Sequence, residues 1–312
     1  MKLGHSDIDM TCVGLGTNYV GGHGLYNDID EDEGVRLVQR ALDLGVTFID
    51  TADIYGFGRS EELVGKAIAG RRSEVVLATK AGNEFSGNER VGVNNEPAYL
   101  RAALTASLRR LGTDYVDLYY IHRHDGRTPP EESMAELMRM KQEGLIRAVG
   151  VSNYEPAQLQ AALQAGPIDA LQSRYNLLQR EVEDEVLDIC TANGISFVPW
   201  GPLAFGLLGG RYGADFVLPE GDWRHRSGIF DADIFPQHLQ IVAQLKDLCQ
   251  RNSMALPHVA MQWLLTRASV DAVIAGAKNT AQVDGNVAAD GVALNDALLG
   301  EIEAILPSRK PI

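Results

Sequence analysis

A closed barrel of eight parallel strands, each followed by a helix, is the fold that this 312-residue sequence predicts. Short apolar runs alternate with longer helical patterns along the chain, an order that builds either a closed barrel or a doubly wound open sheet. Most of these runs lack polar alternation, as strands buried on both faces should. The first strand carries only GLGT and no GxGxxG, which removes the main support for an open dinucleotide-binding sheet. We therefore expect an α/β protein with the (β/α)8 architecture, the TIM barrel.

Strands are expected where Val, Ile and aromatic residues concentrate in runs too short for a free helix. These runs are 12–17, 47–50, 75–80, 116–122, 148–152, 170–175, 196–201 and 272–277. Amphipathic helical patterns lie between them, at 31–45, 62–68, 97–111, 131–143, 156–163, 181–192, 238–249 and 256–266. In the first of these, Val35, Val38 and Leu42 lie on one stripe that ends at Gly45, as expected of a helix packed on one face.

Two helix starts are marked by polar caps and a proline. Ser60 precedes the acidic and apolar residues of the second helix, and Asn95 and Glu96 precede Pro97 in the third. Such residues open helices because a polar side chain caps free N–H groups and proline fits the first turn.

The segment between the seventh and eighth strands is too long for one helix. It holds the polar loop FGLLGGRYGADFVLPEGDWRHRSGIFDADIF (205–235) before its two helical patterns. Long loops after barrel strands usually belong to the active face. The sequence shows neither longer repeats nor linkers, so we expect one domain over residues 1–312.

Composition and charge exclude several classes of protein. Twenty-eight Lys and Arg against 42 Asp and Glu give a net charge of −14, which repels phosphate backbones and anionic lipid. We therefore expect no nucleic-acid partner. The first ten residues are charged where a signal peptide would be apolar, and no apolar stretch approaches the length of a membrane span.

The three cysteines are far apart. Cys12, Cys190 and Cys249 show no CxxC spacing, so a disulfide framework or a zinc knuckle is not expected. We interpret all three as packed core thiols and expect a protein of the reducing cytoplasm, with no membrane partner.

Titratable side chains stand at three consecutive strand ends, where barrel enzymes carry their chemistry. Asp50 ends the second strand with Tyr55 five residues on, Lys80 ends the third strand and His122 ends the fourth. A tyrosine is a poor acid at neutral pH unless its phenolate is stabilised. An adjacent ammonium does this, and a carboxylate on its far side holds the ammonium in place. The four residues therefore form a proton-transfer set.

Two other barrel chemistries fit these strand ends less well. A two-carboxylate glycosidase would have Glu at the ends of the fourth and seventh strands, where His122 and Trp200 stand. A metal hydrolase could use His122 and His124, but the fifth and sixth strands offer Ser152 and Gln172 instead of further ligands. Hydride transfer with a tyrosine acid and no metal is the favoured interpretation.

Four separated motifs, in order, look like those of the aldo-keto reductase superfamily. The resemblance runs from GLGT near the N-terminus to GAKNTAQVDGN (276–286), nearly the whole chain. Its motifs are GVTFIDTADIYGFGRSEELVGKAI (45–68), GLIRAVGVSNY (144–154), LQSRYNLLQRE (171–181) and PWGPLAFGLLGG (199–210). The last resembles the longer-loop bacterial members, which are also similar to potassium-channel β subunits.

The resemblance implies a catalytic role for each member of the tetrad. Tyr55 would protonate the carbonyl oxygen as hydride arrives, Lys80 would lower its pKa, and Asp50 would hold Lys80. His122 would orient or polarise the carbonyl group of a small-molecule aldehyde or ketone.

The resemblance also implies a nicotinamide cofactor, NADPH in preference to NADH. Ser152, Asn153 and Gln172 would hold the carboxamide, and Trp200 would stack on the ring. Further contacts are implied for Gly16, Thr17, Asp50, Gly201, Pro202, Leu203, Gly206, Leu208, Arg211, Gly276, Ala277, Lys278, Gln282 and Asn286. Many relatives place an arginine on the 2′-phosphate where Gln282 stands, which leaves Lys278 as the main cation for that phosphate.

The substrate side departs from the family pattern. After His122, many relatives carry an aromatic residue and a proline, whereas this chain has Arg123, His124 and Asp125, and its long seventh loop adds Trp223. Such groups suit a hydroxylated or anionic carbonyl compound better than a steroid. The alternative is that Arg123 and His124 pair with Asp125 and neighbouring acids at the rim.

A second class of function stays open at this point. A cofactor-binding sensor, like the channel β subunits, could keep the tetrad without turnover, although this chain has no extended apolar docking tail. The sequence does not set the oligomeric state.

Overall fold

The computed structural model describes residues 1–26 and 28–307. Eight parallel strands form the barrel: β1 Val13–Gly16, β2 Phe48–Asp50, β3 Val76–Ala81, β6 Val116–Ile121, β7 Ile146–Ser152, β8 Ala170–Arg174, β9 Ser196–Trp200 and β10 Val273–Gly276. They close in the order β1-β10-β9-β8-β7-β6-β3-β2, which confirms the predicted (β/α)8 barrel. Of the expected domain, position 27 and residues 308–312 lie outside the described residues.

Helices pack around the barrel. They are α1 Glu31–Asp43, α2 Arg59–Ile68, α3 Pro97–Leu111, α4 Pro130–Gln142, α5 Pro156–Ala165, α6 Val186–Ala192, α7 Phe235–Arg251, α8 Leu256–Leu265, α9 Thr280–Val287 and α10 Asp296–Ile305. The eight expected helices are present, while α9 and α10 were not predicted. α6 begins at Val186 and not at Glu181, because residues 181–183 form a separate 3₁₀ turn.

The expected cap at Ser60 is wrong. α2 begins at Arg59, one residue before Ser60, and its N-cap is Gly58. Ser60 is fully buried in the first turn, and its Oγ donates to the carbonyl oxygen of Thr17 at 3.0 Å. Its hydroxyl therefore ties α2 to the loop after β1. Pro97 does open α3 as expected, although the Glu96 side chain caps nothing.

An unpredicted hairpin stands on the carboxyl-terminal side of the barrel. β4 (Asn83–Ser86) and β5 (Glu89–Val93) pair antiparallel directly after β3. The Phe85 ring packs edge-on against Phe57, with 5.7 Å between the ring centroids. The hairpin thereby rests on the turn that follows β2.

Large side chains fill the lower part of the barrel. Phe48, Leu118, Tyr120 and Val198 belong to one buried cluster with Leu3, Ile8 and Met10 of the N-terminal segment. Position 150 requires glycine, because a Cβ atom there would lie only 2.4 Å from the Tyr120 ring. The barrel is a packed core, so chemistry is confined to its carboxyl-terminal mouth.

Two of the three cysteines are core thiols. Cys190 and Cys249 are buried, as expected. Cys12 is partly exposed, and its Sγ donates to Asp290 at 2.7 Å. The interpretation of Cys12 as a packed core thiol is therefore wrong.

In the described part of the chain, no helix combines the length and the apolar character that crossing a bilayer would need.

A buried ion pair joins α2 to α3. Glu61 is fully buried, its carboxylate lies 2.7 Å from the Arg110 guanidinium, and Thr79 of β3 donates to it at 2.5 Å. Removing one partner of a buried pair leaves the other charge uncompensated, at a cost of about 3–5 kcal/mol. Loss of either partner alone should therefore destabilise this part of the barrel.

We predict that Arg110→Met lowers the free energy of unfolding by about 3–5 kcal/mol, because it leaves Glu61 buried and uncompensated. Urea titration monitored by circular dichroism measures the change. Arg109→Met is the matched control, since Arg109 is exposed and forms no ion pair within the described residues. Equal losses in the two variants would show that the Glu61–Arg110 pair contributes no specific stability.

Candidate active site

A buried ion pair stands at the mouth of the barrel. Lys80 is fully buried near the end of β3, and its Nζ donates to Asp50 Oδ1 at 2.5 Å and to the carbonyl oxygen of Thr51 at 2.8 Å. Gln172 of β8 donates to the other carboxylate oxygen of Asp50 at 2.9 Å. Three strands thus contribute to one hydrogen-bonded unit.

The charge on Lys80 is maintained by its partners. Burial opposes the ammonium, but the negative charge of Asp50 and the Tyr55 hydroxyl outweigh it and raise the pKa of Lys80 above its ordinary value. Burial raises the pKa of Asp50, against the attraction of Lys80. We take the pair as ionised, because its hydrogen bonds suit a carboxylate facing an ammonium.

Tyr55 reaches this pair from a tight turn. The turn Tyr55–Gly58 follows β2, and its Gly56 has a φ of +58°. A Cβ atom at Gly56 would lie 1.8 Å from the carbonyl oxygen of Gly21, so this position requires glycine. The turn sets the Tyr55 ring centroid 5.1 Å from Lys80 Nζ.

Two opposing effects set the acidity of Tyr55. Burial raises the pKa of Tyr55 above its ordinary value, and the positive charge of Lys80 opposes this rise. Lys80 thus acts on the phenol in the expected direction, and burial outweighs it. The phenol is therefore protonated at neutral pH and retains a proton to donate.

His122 follows β6 on the far side of Tyr55. Its ring stands edge-on to the phenol, with centroids 6.1 Å apart and planes at 85°. Burial and the positive charges of Lys80, Arg123 and Arg90 hold the pKa of His122 well below its usual range. The ring is therefore neutral at physiological pH, and a neutral imidazole can donate one hydrogen bond without transferring a proton.

The residues expected around the nicotinamide lie together. Asn153 Nδ2 donates to Ser152 Oγ at 2.9 Å and to the carbonyl oxygen of His122 at 3.1 Å, while its Oδ1 accepts from Trp200 Nε1 at 3.0 Å. Trp200 ends β9 and is partly exposed. One amide group therefore links the ends of β6, β7 and β9.

Strained backbone surrounds the same mouth. Five described non-glycine residues have a positive φ, and four of them lie in loops at this end: Phe57, Asn153, Ala204 and Phe205, with Ser253 elsewhere. Such conformations cost about 1–3 kcal/mol each and concentrate at functional sites. Because none of the four is glycine, this strain leaves no clear mark in the sequence.

The expected pyrophosphate loop follows β9 as a kinked 3₁₀ segment, Ala204–Gly209. Its flanking and internal glycines, Gly201 and Gly206, have φ values of +67° and +94°. The side chains of Pro202 and Leu208 are buried and that of Leu203 is partly so, so a ligand would meet the loop chiefly through its backbone. Arg211 is exposed just beyond it.

The expected adenosine segment is organised by its own side chains. Gln282 Oε1 accepts from the backbone N–H of Lys278 at 2.8 Å, and Asn286 Nδ2 donates to the carbonyl oxygen of Gly276 at 3.2 Å. Ala277, which lies between Gly276 and Lys278, is buried. Gly16 of β1 pairs in register with Gly276 of β10.

Thr17 has a supporting position. It is fully buried, and its Oγ1 donates to the carbonyl oxygen of Asp50 at 3.0 Å. Its side chain therefore holds the ends of β1 and β2 together and is not free for a ligand.

Lys278 already has an acidic partner. Its Nζ lies 3.1 Å from Asp28 Oδ2 and within 5.0 and 5.2 Å of the ring centroids of Tyr19 and Tyr26. Sequence reasoning missed Asp28, because the two residues are 250 positions apart and no local pattern joins them.

The basic residues after His122 do not pair with Asp125. Asp125 instead accepts from Thr128 Oγ1 at 2.7 Å and from three backbone N–H groups. His124 packs edge-on against Tyr154, with centroids 5.4 Å apart. Arg123 is exposed and forms no ion pair with any described residue.

Trp223 brings the long seventh loop to the mouth. Its ring packs edge-on against Phe205 and Tyr26, at centroid distances of 5.3 and 6.2 Å. The loop is braced behind it by Arg224, which pairs with Asp222 at 2.7 Å.

Among residues 1–26 and 28–307, no group of three or more His, Cys, Asp or Glu is arranged to hold a metal ion.

Known proteins are similar to this chain over nearly its full length. Residues 12–307 match the model of the Aldo/keto reductase family. The aldo-keto reductase yakc [NADP(+)] of Schizosaccharomyces pombe is 34% identical over 298 residues, covering 94% of this chain and 88% of the relative. The NADH-specific methylglyoxal reductase of Escherichia coli is 34% identical over 311 residues, 95% of both chains.

A solved structure agrees with the fold as well. The glycerol dehydrogenase AKR11B4 from Gluconobacter oxydans superposes with a TM-score of 0.90 at 33% identity, covering 98% of this chain and 94% of that one. With the barrel, the four residues at its mouth and these similarities in place, the chain belongs to the aldo/keto reductase family.

Proposed function

We propose that this protein reduces an aldehyde or ketone to the alcohol, as an oxidoreductase of the alcohol dehydrogenase type, with NADPH as its cofactor and Tyr55 as the proton donor. One observation carries the proposal: a protonated phenol stands beside a buried, ion-paired lysine at the mouth of the barrel. His122 faces the same phenol from the other side. The three groups define a place for a carbonyl oxygen.

The residues around this place fit a nicotinamide dinucleotide. The Ser152 hydroxyl and the amides of Asn153 and Gln172 are the donor and acceptor types that a carboxamide requires. In the loop after β9, three consecutive residues with positive φ, Ala204, Phe205 and Gly206, form a tight backbone turn, and such turns can present successive N–H groups to phosphate. When bound there, the cofactor supplies the hydride.

Lys80 and Asp50 make Tyr55 usable as an acid. As the carbonyl carbon gains hydride, its oxygen becomes basic and takes the phenol proton. The phenolate left on Tyr55 is stabilised by the ammonium of Lys80, and Asp50 keeps that ammonium charged in a buried setting. The stabilisation arises when the proton leaves, which is when it accelerates the reaction.

His122 orients the carbonyl group. Because its ring is neutral, it can donate a hydrogen bond to the carbonyl oxygen while Tyr55 remains the group that gives up a proton. The edge-on placement of the two rings leaves both polar edges at the mouth.

Whole-chain similarity to reductases supports an enzyme, whereas a sensor would bind the cofactor without turnover. Stopped-flow loss of NADPH absorbance with simple aldehydes separates the two. Consumption of NADPH with formation of the alcohol supports the reductase. Tight NADPH binding with no consumption across aldehydes and ketones would favour the sensor.

We further propose that residues 1–312 form one catalytic domain and that the protein works in the cytoplasm on small carbonyl compounds, without a nucleic-acid or membrane partner. The free thiols of Cys12, Cys190 and Cys249 support a reducing compartment.

Tyr55→Phe removes only the proton donor, so we predict a fall in kcat for carbonyl reduction of about 10²–10⁴-fold. The affinity for NADPH should stay within about threefold by fluorescence titration, because the ring that packs beside Lys80 is retained. A variant with near wild-type kcat would remove Tyr55 from the mechanism.

The cofactor preference is predicted to depend on the Lys278–Asp28 pair. Lys278→Ala should weaken NADPH binding by about tenfold or more, and NADH binding much less, because a charged hydrogen bond to the 2′-phosphate contributes about 1.5–3 kcal/mol. Asp28→Asn should instead favour NADPH, since it frees the ammonium from its carboxylate partner.

Quenching of Trp200 fluorescence gives both dissociation constants. Asp7→Asn is the control for the change in net charge, since Asp7 is exposed at the opposite end of the barrel. Equal losses of NADPH and NADH affinity in Lys278→Ala would mean that Lys278 does not bind the 2′-phosphate.

A further inference from the structure

Arg90 and Arg123 are two arginines without an acidic partner that lie beside the candidate active site. Most arginines in the described part of the chain form ion pairs. Like the exposed Arg109, Arg211 and Arg226, neither Arg90 nor Arg123 has a carboxylate within ion-pair distance or a side-chain hydrogen bond among the described residues. Their position distinguishes Arg90 and Arg123, because both charges act on His122.

The backbone of Arg123 is fixed next to the tetrad. It follows His122 directly, and its carbonyl oxygen accepts from Asn95 Nδ2 at 3.1 Å. The charge of Arg123 acts on His122, because it lowers the pKa of that imidazole together with burial and the charge of Lys80. Arg123 thus stands at the rim of the place assigned to the carbonyl group.

The hairpin directs Arg90 toward the same rim. Arg90 and Phe85 are directly opposed across β4 and β5, and opposed side chains lie on the same face of a hairpin. Phe85 uses that face to pack on Phe57, in the turn that carries Tyr55. Arg90 is therefore on the hairpin face that looks toward the mouth.

The base of the hairpin meets the Arg123 segment. A Cβ atom at Gly82 would lie 3.6 Å from the backbone nitrogen of His122 and 3.7 Å from the carbonyl oxygen of Arg123. The two guanidiniums are close enough that Arg90, after burial, is a cause of the lowered pKa of Arg123. Their repulsion is uncompensated by any described acid, and Asp125 is committed to Thr128.

We propose that Arg90 and Arg123 form a subsite for a carboxylate or phosphate group, so that the substrate is a carbonyl compound carrying an anionic group. This inference rests on the proposed reductase function and specifies its substrate class. The planar fork of a guanidinium matches both oxoanions, and an anion here would relieve the repulsion between the two arginines. The wild-type chain should therefore prefer anionic substrates despite its net charge of −14.

A matched pair of aldehydes tests the carboxylate arm. 4-Carboxybenzaldehyde and methyl 4-formylbenzoate have similar ring electronics and differ in charge. We expect kcat/KM of the wild type to favour the acid by about tenfold or more, with the advantage shrinking as salt screens the charges. Glyceraldehyde 3-phosphate against glyceraldehyde tests the phosphate arm, and the larger advantage identifies which oxoanion the subsite prefers.

Variants locate the effect. The double variant Arg90→Gln, Arg123→Gln should lose the preference for the acid, with a loss on the acid at least about tenfold greater than on the ester. Arg109→Gln, an exposed arginine on the outer helix α3, should retain the wild-type ratio. A wild type that shows no advantage for the charged member of either substrate pair, or a double variant that loses the charged and the neutral member equally, would overturn the subsite while leaving the reductase function intact.

Failure of the reductase function itself has a different signature. If the wild type turned over neither aldehyde, terephthalate binding to the NADPH-loaded protein would test the subsite alone. Fluorescence quenching on terephthalate addition that is lost in the double variant would support the subsite. The same affinity in both proteins would overturn it.

Discussion

Lys80 lies near the end of β3 with none of its surface exposed, and its ammonium is held by Asp50 and by the carbonyl oxygen of Thr51. Burying one of these charges alone would cost several kcal/mol, so each requires the other. The pair can form because the closed barrel brings the ends of β2 and β3 side by side. Gln172 extends this unit to β8, across the barrel. Without the pair, Tyr55 would be an ordinary buried phenol with a raised pKa, and no adjacent positive charge would stabilise the phenolate that remains after proton transfer.

The rest of the mouth is arranged around this pair. Gly56 allows the turn that carries Tyr55, and α2 then starts close behind it and is held to β3 through Glu61. His122 and Asn153 continue the arc around the opposite side. In the proposed function, the strand ends and the turn after β2 place the proton donor, and the hairpin and the seventh loop border the substrate side of the mouth.

The sequence predicted the barrel and the tetrad because both leave local signals, namely buried apolar runs and titratable residues where those runs end. It missed β4 and β5 because only one of their residues, Asn83, is buried and too few apolar side chains mark a strand. The sequence did not predict that Lys278 pairs with Asp28 or that Arg123 has no ion pair with a described residue, because both depend on which distant segments come into contact. The rise in the pKa of Tyr55 could not be predicted, because it comes from burial, which no local pattern reveals. Ser60 was misassigned as a cap because its hydroxyl has a tertiary partner, Thr17.

The pH profile of carbonyl reduction in Asp50→Asn against wild type tests the central claim most directly. In the wild type, the pKa values of Lys80 and Tyr55 both lie above their ordinary values, so kcat/KM should fall only in strongly alkaline solution. Without Asp50, burial acts on Lys80 with only Tyr55 opposing it, so the pKa of Lys80 should fall. Activity should then persist at low pH, where Lys80 is charged, and be lost as pH rises through that lowered pKa, at least about one unit below the wild-type limb. A variant with a lower plateau but an unshifted alkaline limb would contradict the role of the ion pair.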